Sequence, residues 1–244
     1  MAGEAAERQE NGIVKAVSDA VKKNKGNPIT VVAGKTKISS VTSARKATHL
    51  RQQGGSEPYI DVLLGIHGED EIGLSCKGKS APSLAGGGLS GLELAVPGIA
   101  KKFMTSAFNH LSKKLKLQPG DKVPDVYGKI GSADKVKIVV GNKKMGGPID
   151  YMFVGTMDVR ATYDQAKNEL TFGDTEITPA KKYAEEHELY FRLRARREDQ
   201  RFDPTSKDKD GSPKIYGKSP SRGDSAGRIV VQDKTPSNAV IVNI

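Results

Sequence analysis

This sequence predicts an α+β fold, a mixed β-sheet flanked by helices, and three observations point to it. Short bursts of Val, Ile and Leu of strand length recur along the 244 residues. Segments at 4–23 and 99–117 carry apolar residues at the three-and-four spacing of a helix face. The order of these elements intersperses helices among strands, which suits helices packed on a mixed sheet. The apolar fraction is 36% with no Trp, yet its clustering suffices for a core.

In chain order, Ile13, Val14, Val17, Ala20 and Val21 predict an amphipathic helix from Glu4 to Lys23, ending near Gly26. After Pro28, the β-branched runs 29–33 and 37–41 read as strands about a Gly34 turn, followed by a polar, basic stretch, 45–56. The clearest strands are 59–64 and 72–77, flanking the turn-rich segment 65–70, and they predict a hairpin. The glycine-rich run 83–91 suits a loop. Phe103, Ala107, Phe108, Leu111 and Leu115 then define a helix over 99–117 with lysines on its other side. Strands are expected at 136–140, 150–159, 169–172 and 189–196, with a short helix from Thr178 in which Pro179 takes the first position. Composition shifts at 203–225 to Asp, Lys, Ser, Gly and Pro, as in a long mobile loop, before two closing strands about a turn at 235–238. The expected organisation is a core over 1–202, a mobile charged loop over 203–226 and a C-terminal hairpin over 227–244 that returns to the core.

Charge and cysteine usage narrow the function. Against 29 Asp+Glu stand 39 Lys+Arg, a formal charge of +10. No run approaches the roughly 18 apolar residues of a membrane span, and Glu4, Glu7 and Glu10 stand where an export signal would be basic and then apolar. The expectation is a cytoplasmic protein without a membrane partner. Cys76 is the single cysteine, which excludes an intrachain disulfide and a zinc site built on Cys pairs.

Alternation on the central hairpin places Ile60, Val62, Leu64, Ile72, Leu74 and Cys76 on one side and leaves Asp61, Ser75 and Lys77 to converge on the other. An acid, a hydroxyl and an amine on one polar surface can bind a hard divalent cation, orient a water and stabilise charge on a phosphate. That is the logic of metal-assisted phosphodiester hydrolysis.

The segment Glu57-Pro58-Tyr59-Ile60-Asp61 followed by Ile72-Gly73-Leu74-Ser75-Cys76-Lys77 resembles the PD-(D/E)-x-K nuclease superfamily of restriction enzymes and phage nucleases, in the variant where D…SxK replaces the standard motif. The resemblance covers roughly residues 10 to 80. It implies a restriction-endonuclease-like fold, Mg²⁺ as cofactor, DNA as substrate, Asp61 as metal ligand and Lys77 as catalytic lysine, with Ser75 completing the candidate catalytic group. Ser75 stands where the family has a second acid, so the missing carboxylate falls to Glu57, Glu71 or Glu10, or else the site is degenerate and only binds.

Other motifs carry less. Residues 73–80 satisfy the G-x-x-x-x-G-K-[ST] pattern, but the first half is itself a strand and Ala81-Pro82 follows, a poor context for a phosphate loop. A Ser-Lys hydrolase on Ser75 and Lys77, or on Ser83 beside Gly86-Gly87-Gly88, rests on spacing alone. Asp208-Lys209-Asp210-Gly211 fails as an EF-hand because Gly217 occupies the twelfth position. His49, His67, His110 and His187 are too scattered for a metal pair.

On 189–197, alternation turns Tyr190, Arg192, Arg194 and Arg196 outward, and residues two apart on a strand lie roughly 6.6 Å from one another, comparable to neighbouring phosphates, whose oxygens guanidinium forks suit. Arg192, Arg194 and Arg196, together with Lys101 and Lys113 on the basic helix and Lys214, Lys218 and Arg222 in the loop, form the candidate nucleic-acid surface. Two readings follow: a Mg²⁺-dependent DNA endonuclease of viral or phage type, or a non-catalytic DNA-binding or virion structural protein on a degenerate nuclease scaffold. A homodimer or a virion partner is compatible with both.

Overall fold

The structure is a computed structural model that describes residues 2–48, 50, 59–79, 88–208, 211–221 and 228–244. In chain order its elements are α1 (Ala2–Lys23), β1 (Ile29–Ala33), β2 (Thr36–Lys46), β3 (Val62–Ile66), β4 (Ile72–Gly78), α2 (Gly88–Ala95), α3 (Ile99–Asn109), a π-helical turn (His110–Lys114), β5 (Val126–Lys129), α4 (Ser132–Val140), β6 (Tyr151–Gly155), β7 (Arg160–Asp164), β8 (Glu169–Gly173), β9 (Glu176–Pro179), α5 (Ala180–Glu186), β10 (Tyr190–Arg194), β11 (Arg228–Gln232) and β12 (Val240–Val242). The expected α+β class, a large mixed sheet with helices, is what the chain adopts.

These elements divide into two compact units, Met1–Pro82 with Val139–Glu186 and Ser83–Ile138 with His187–Ile244. Their boundaries fall inside the 1–202 stretch expected to be one core.

The first unit holds an eight-stranded sheet in the order β7-β8-β1-β2-β3-β4-β6-β9. β1 to β4 form an antiparallel meander, and β6 then runs parallel to β4, with Cys76 opposite Phe153 and Lys77 opposite Val154. α1 seats on this sheet through Ile13, Val17 and Ala20, which join Val31, Val41, Val62, Leu64, Leu74, Cys76 and Phe153 in one buried cluster. Each Val, Ile, Leu or Phe side chain of this cluster withdrawn from water contributes about 1.5–3 kcal/mol before entropy is counted. Gly12 lets the helix approach closely, since a Cβ there would stand 2.9 Å from that of Val159. Ile60, expected beside Val62 and Leu64, instead packs over Gly73, where a Cβ would meet its Cδ1 at 2.6 Å. Strand pairing begins only at Val62, so the alternation does not extend back to Ile60.

The second unit holds a four-stranded sheet in the order β11-β10-β5-β12. Buried Phe103 of α3 stacks on Phe191 of β10 at 5.3 Å between ring centroids, and Gly128 of β5 opens space for that ring.

Several expectations change. The β-branched run 136–140 is helical in α4, where Asp134 and Lys135 donate their amides to the Gly131 carbonyl and Ile138 and Val139 are both buried. Tertiary burial here overrides β propensity. Within the glycine-rich run, α2 starts at Gly88, while Ser83, Gly86 and Gly87 lie outside the described residues. Pro179 ends β9, and the helix after it begins at Ala180. The strand expected over 150–159 is shorter, ending at Gly155.

The two closing strands do not form a hairpin. β11 pairs with β10 and β12 pairs in parallel with β5, so they occupy opposite edges of the small sheet. Nor is the described part of 203–221 a loose loop, because Ile215 and Tyr216 are fully buried and Phe202 bridges Tyr216. An aromatic ring is a strong anchor even within a polar segment.

Candidate active site

Asp61 sits just before β3, its amide donating to the Leu74 carbonyl and its carbonyl accepting from the Ala47 amide. Its backbone is therefore pinned from both sides, and its side chain reaches across to β4. There Oδ2 accepts three hydrogen bonds: from the Cys76 amide at 2.6 Å, the Ser75 hydroxyl at 3.2 Å and the Lys77 ammonium at 3.2 Å. The expected convergence of Asp61, Ser75 and Lys77 is present. Asp61 Oδ1 takes no hydrogen bond among the described residues.

Exposure separates the roles within this trio. Ser75 is 2% exposed and serves the carboxylate from within, whereas the Asp61 and Lys77 side chains keep 22% and 17% of their surface. Only the latter two can touch a ligand directly. Burial pushes the Cys76 thiol well above its usual range, and the Asp61 charge adds to the effect, so that thiol stays protonated.

α1 supplies the next layer. Gln9 is 1% exposed, and its Nε2 lies within hydrogen-bond reach of three carbonyls, Lys77 at 3.2 Å, Gly155 at 3.3 Å and Thr156 at 3.2 Å. That amide fixes the helix over the ends of β4 and β6. The neighbouring Glu10 meets the Lys46 ammonium at 3.0 Å, and Glu7 reaches the same group at 3.5 Å. Burial raises the Glu10 pKa; its pair with Lys46 opposes that shift, and the Asp61 carboxylate reinforces it. Lys46 in turn is raised, first by its hydrogen bond to Glu10. The result is an alternating cluster, Glu10 with Lys46 and Asp61 with Lys77, at the end of the meander.

Glu10 is thus the one of the three proposed replacement acids that joins Asp61. Glu71 is excluded by its position: it lies at the start of β4, at the other end of the hairpin, in a bidentate pair with Arg45 at 2.6 and 3.0 Å. Glu57 lies outside the described residues. No group of three or more His, Cys, Asp or Glu suited to a metal occurs among the described residues. Glu10 and Asp61 feel each other's charge, and both are oxygen donors. Such an all-oxygen pair suits magnesium, which retains several waters and takes one or two protein carboxylates.

Sequence reasoning missed Lys46 and Gln9. Lys46 stood in a basic stretch without periodicity, and a bulge between Val41 and Ser43 hides its alternation.

The candidate nucleic-acid residues belong to the second unit. Arg192 is not a free clamp, because its Nε and Nη2 donate to Asp125 Oδ2 at 2.9 and 2.5 Å and its guanidinium lies 6.0 Å from the Tyr127 ring centre. Arg194 and Arg196 are exposed as expected, and so are Lys101 and Lys113. Arg222, His49 and Asp210 lie outside the described residues. Among those described, no helix is long and apolar enough to cross a membrane. Compared with known proteins, the chain matches no family model, no curated protein and no solved structure.

Proposed function

We propose that the protein is a metal-dependent nuclease of the PD-(D/E)-x-K type that hydrolyses phosphodiester bonds in DNA at the Asp61–Lys77 pair, with Mg²⁺ as cofactor. The observation that carries this reading is the 3.2 Å contact between Lys77 Nζ and Asp61 Oδ2, with both side chains partly open to solvent. The four-stranded antiparallel meander, with the later β6 parallel to its last member, supports it as a scaffold.

Asp61 and Glu10 would hold the cation. When bound, it supplies charge against the phosphoryl oxygens and acidifies a water. Lys77 orients the incoming water or phosphate and meets the negative charge that develops there. Ser75 and the Cys76 amide hold Asp61 Oδ2 in place, leaving Oδ1 to face outward chemistry. Lys46 opposes the burial that raises the Glu10 pKa.

A second reading, a non-catalytic DNA-binding or virion structural protein, is favoured by one observation: the position expected to hold an acid is the buried Ser75. A plasmid assay separates the two. Supercoiled DNA with Mg²⁺ is expected to be nicked by the wild type, with activity abolished by EDTA and lowered at least about a hundredfold in Lys77→Ala and in Asp61→Asn. Equal nicking by Lys77→Ala would remove the proposed centre. DNA binding that weakens with salt, with no cleavage under any divalent metal, would establish the second reading.

A further inference from the structure

The second unit carries a cleft that the hydrolytic reading leaves unused. It encloses about 720 Å³ beside the end of β10 and is lined by Lys122, Arg194, Arg196, Arg197 and Arg201, with Asp125 and Glu198 as its only acids. Asp125 is already neutralised by Arg192 at 2.5 Å, so the cationic excess is larger than the lining suggests. Lys122, Arg194, Arg196 and Arg201 have no acidic partner within 4.0 Å among the described residues, although Glu198 lines the same cleft.

The cleft is built rather than accidental. Gln200, 2% exposed, accepts the amides of Arg196 and Arg197 at 2.8 and 3.0 Å through Oε1, while its Nε2 donates to the Gly217 carbonyl at 3.1 Å. That buried amide folds the turn after β10, so arginines from the strand and from the turn line one cleft. Arg201 is steadied by bonds from Nη1 to the carbonyls of Glu198 and Gln200 at 2.7 and 3.0 Å. Holding several guanidinium groups together with so few acids costs stability through their mutual repulsion, and a polyanion relieves it. Planar guanidinium forks match phosphate oxygens, and the lining is polar and cationic, without the aromatic platforms that would stack bases.

We infer that this cleft binds the phosphodiester backbone of a nucleic-acid strand without regard to base sequence. The inference goes beyond the hydrolytic reading and does not depend on it, because binding here requires neither metal nor Lys77.

The test is fluorescence anisotropy of a labelled single-stranded oligonucleotide on the full chain in EDTA, with Lys77→Ala throughout so that no cleavage intrudes. Adding Arg194→Ala and Arg196→Ala is expected to weaken binding at least about tenfold at about 50 mM salt and to make the log K against log salt slope shallower by about 1.4, as two lost phosphate contacts require. A charge-matched control, Lys22→Ala with Lys23→Ala in α1, is expected to change affinity less than about twofold. Gln200→Leu is expected to reproduce the weakening without removing charge, with an unchanged circular dichroism spectrum showing the fold intact. Equal losses in the arginine and lysine variants, or no binding by the parent at low salt, would overturn the inference. So would displacement by polyglutamate as effective as by unlabelled DNA, which would indicate an acidic protein as the occupant, or by millimolar inorganic phosphate, which would indicate a single-anion site.

Discussion

Gln9 does more for the Asp61 cluster than its residue type suggests. Its buried amide lies over three carbonyls contributed by β4 and by the chain at and just after the end of β6, and the next residue, Glu10, is placed by the same turn of helix. Replacing Gln9 with Ala leaves those carbonyls short of a donor in a dry environment, at a cost of about 1–3 kcal/mol. Urea unfolding of Gln9→Ala is expected to show that loss; a shift below about 0.5 kcal/mol would mean that water or neighbouring groups replace the amide. At this scale the sequence was legible where side chains partner side chains. Asp61 and Lys77 were found because a two-residue period sorts them onto one surface. Gln9 was not, because its partners are backbone carbonyls, which have no residue identity to read. Arg192 was placed outward correctly, yet Asp125, its partner from 67 positions earlier, changes its meaning.

Asp199 ties the segment following β10 to the chain near Ser219. Its carboxylate accepts the Ser221 hydroxyl at 2.5 Å, the Ser219 hydroxyl at 2.7 Å and the Ser221 amide at 3.1 Å, and these bonds, the Ser221 hydroxyl foremost, draw its pKa down to about 2. Because the folded value lies below the usual 3.8, the stabilisation is fully present above about 3.8 and is lost as pH falls through about 2. Thermal melts at about pH 5 and about pH 2.5 are expected to show a smaller acid loss for Asp199→Asn than for the wild type; identical losses would mean the contact does not contribute. The same segment shows where element reading fails. Composition marked 203–225 as loose, but Ile215 and Tyr216 bury completely and overrule the polar residues around them. The run 136–140 read as a strand from its β-branched residues, whereas the burial of Ile138 and Val139 within α4 selects a helix. Both outcomes depend on distant contacts that a local window does not contain.

For the whole molecule, the first unit is assembled from two separated stretches, Met1–Pro82 and Val139–Glu186. The chain's class was legible because most of its strand bursts are long enough to pair; the division was not, because its second boundary falls inside the continuous helix α4, where no shift in composition marks it. A fragment ending at Pro82 lacks β6 and β8, leaving β4 and β1 with open edges. It is expected to lack a cooperative melt by circular dichroism and to aggregate, and a sharp two-state transition from that fragment would contradict the discontinuous assembly. The register of β4 against β6 also has a temporal side. On the ribosome the Asp61 hairpin emerges well before Gly155 and Thr156, the residues whose carbonyls Gln9 needs. A nascent chain therefore carries all of the cluster's charged groups while lacking the frame that aligns them, and the cluster matures only after β6 has cleared the exit tunnel.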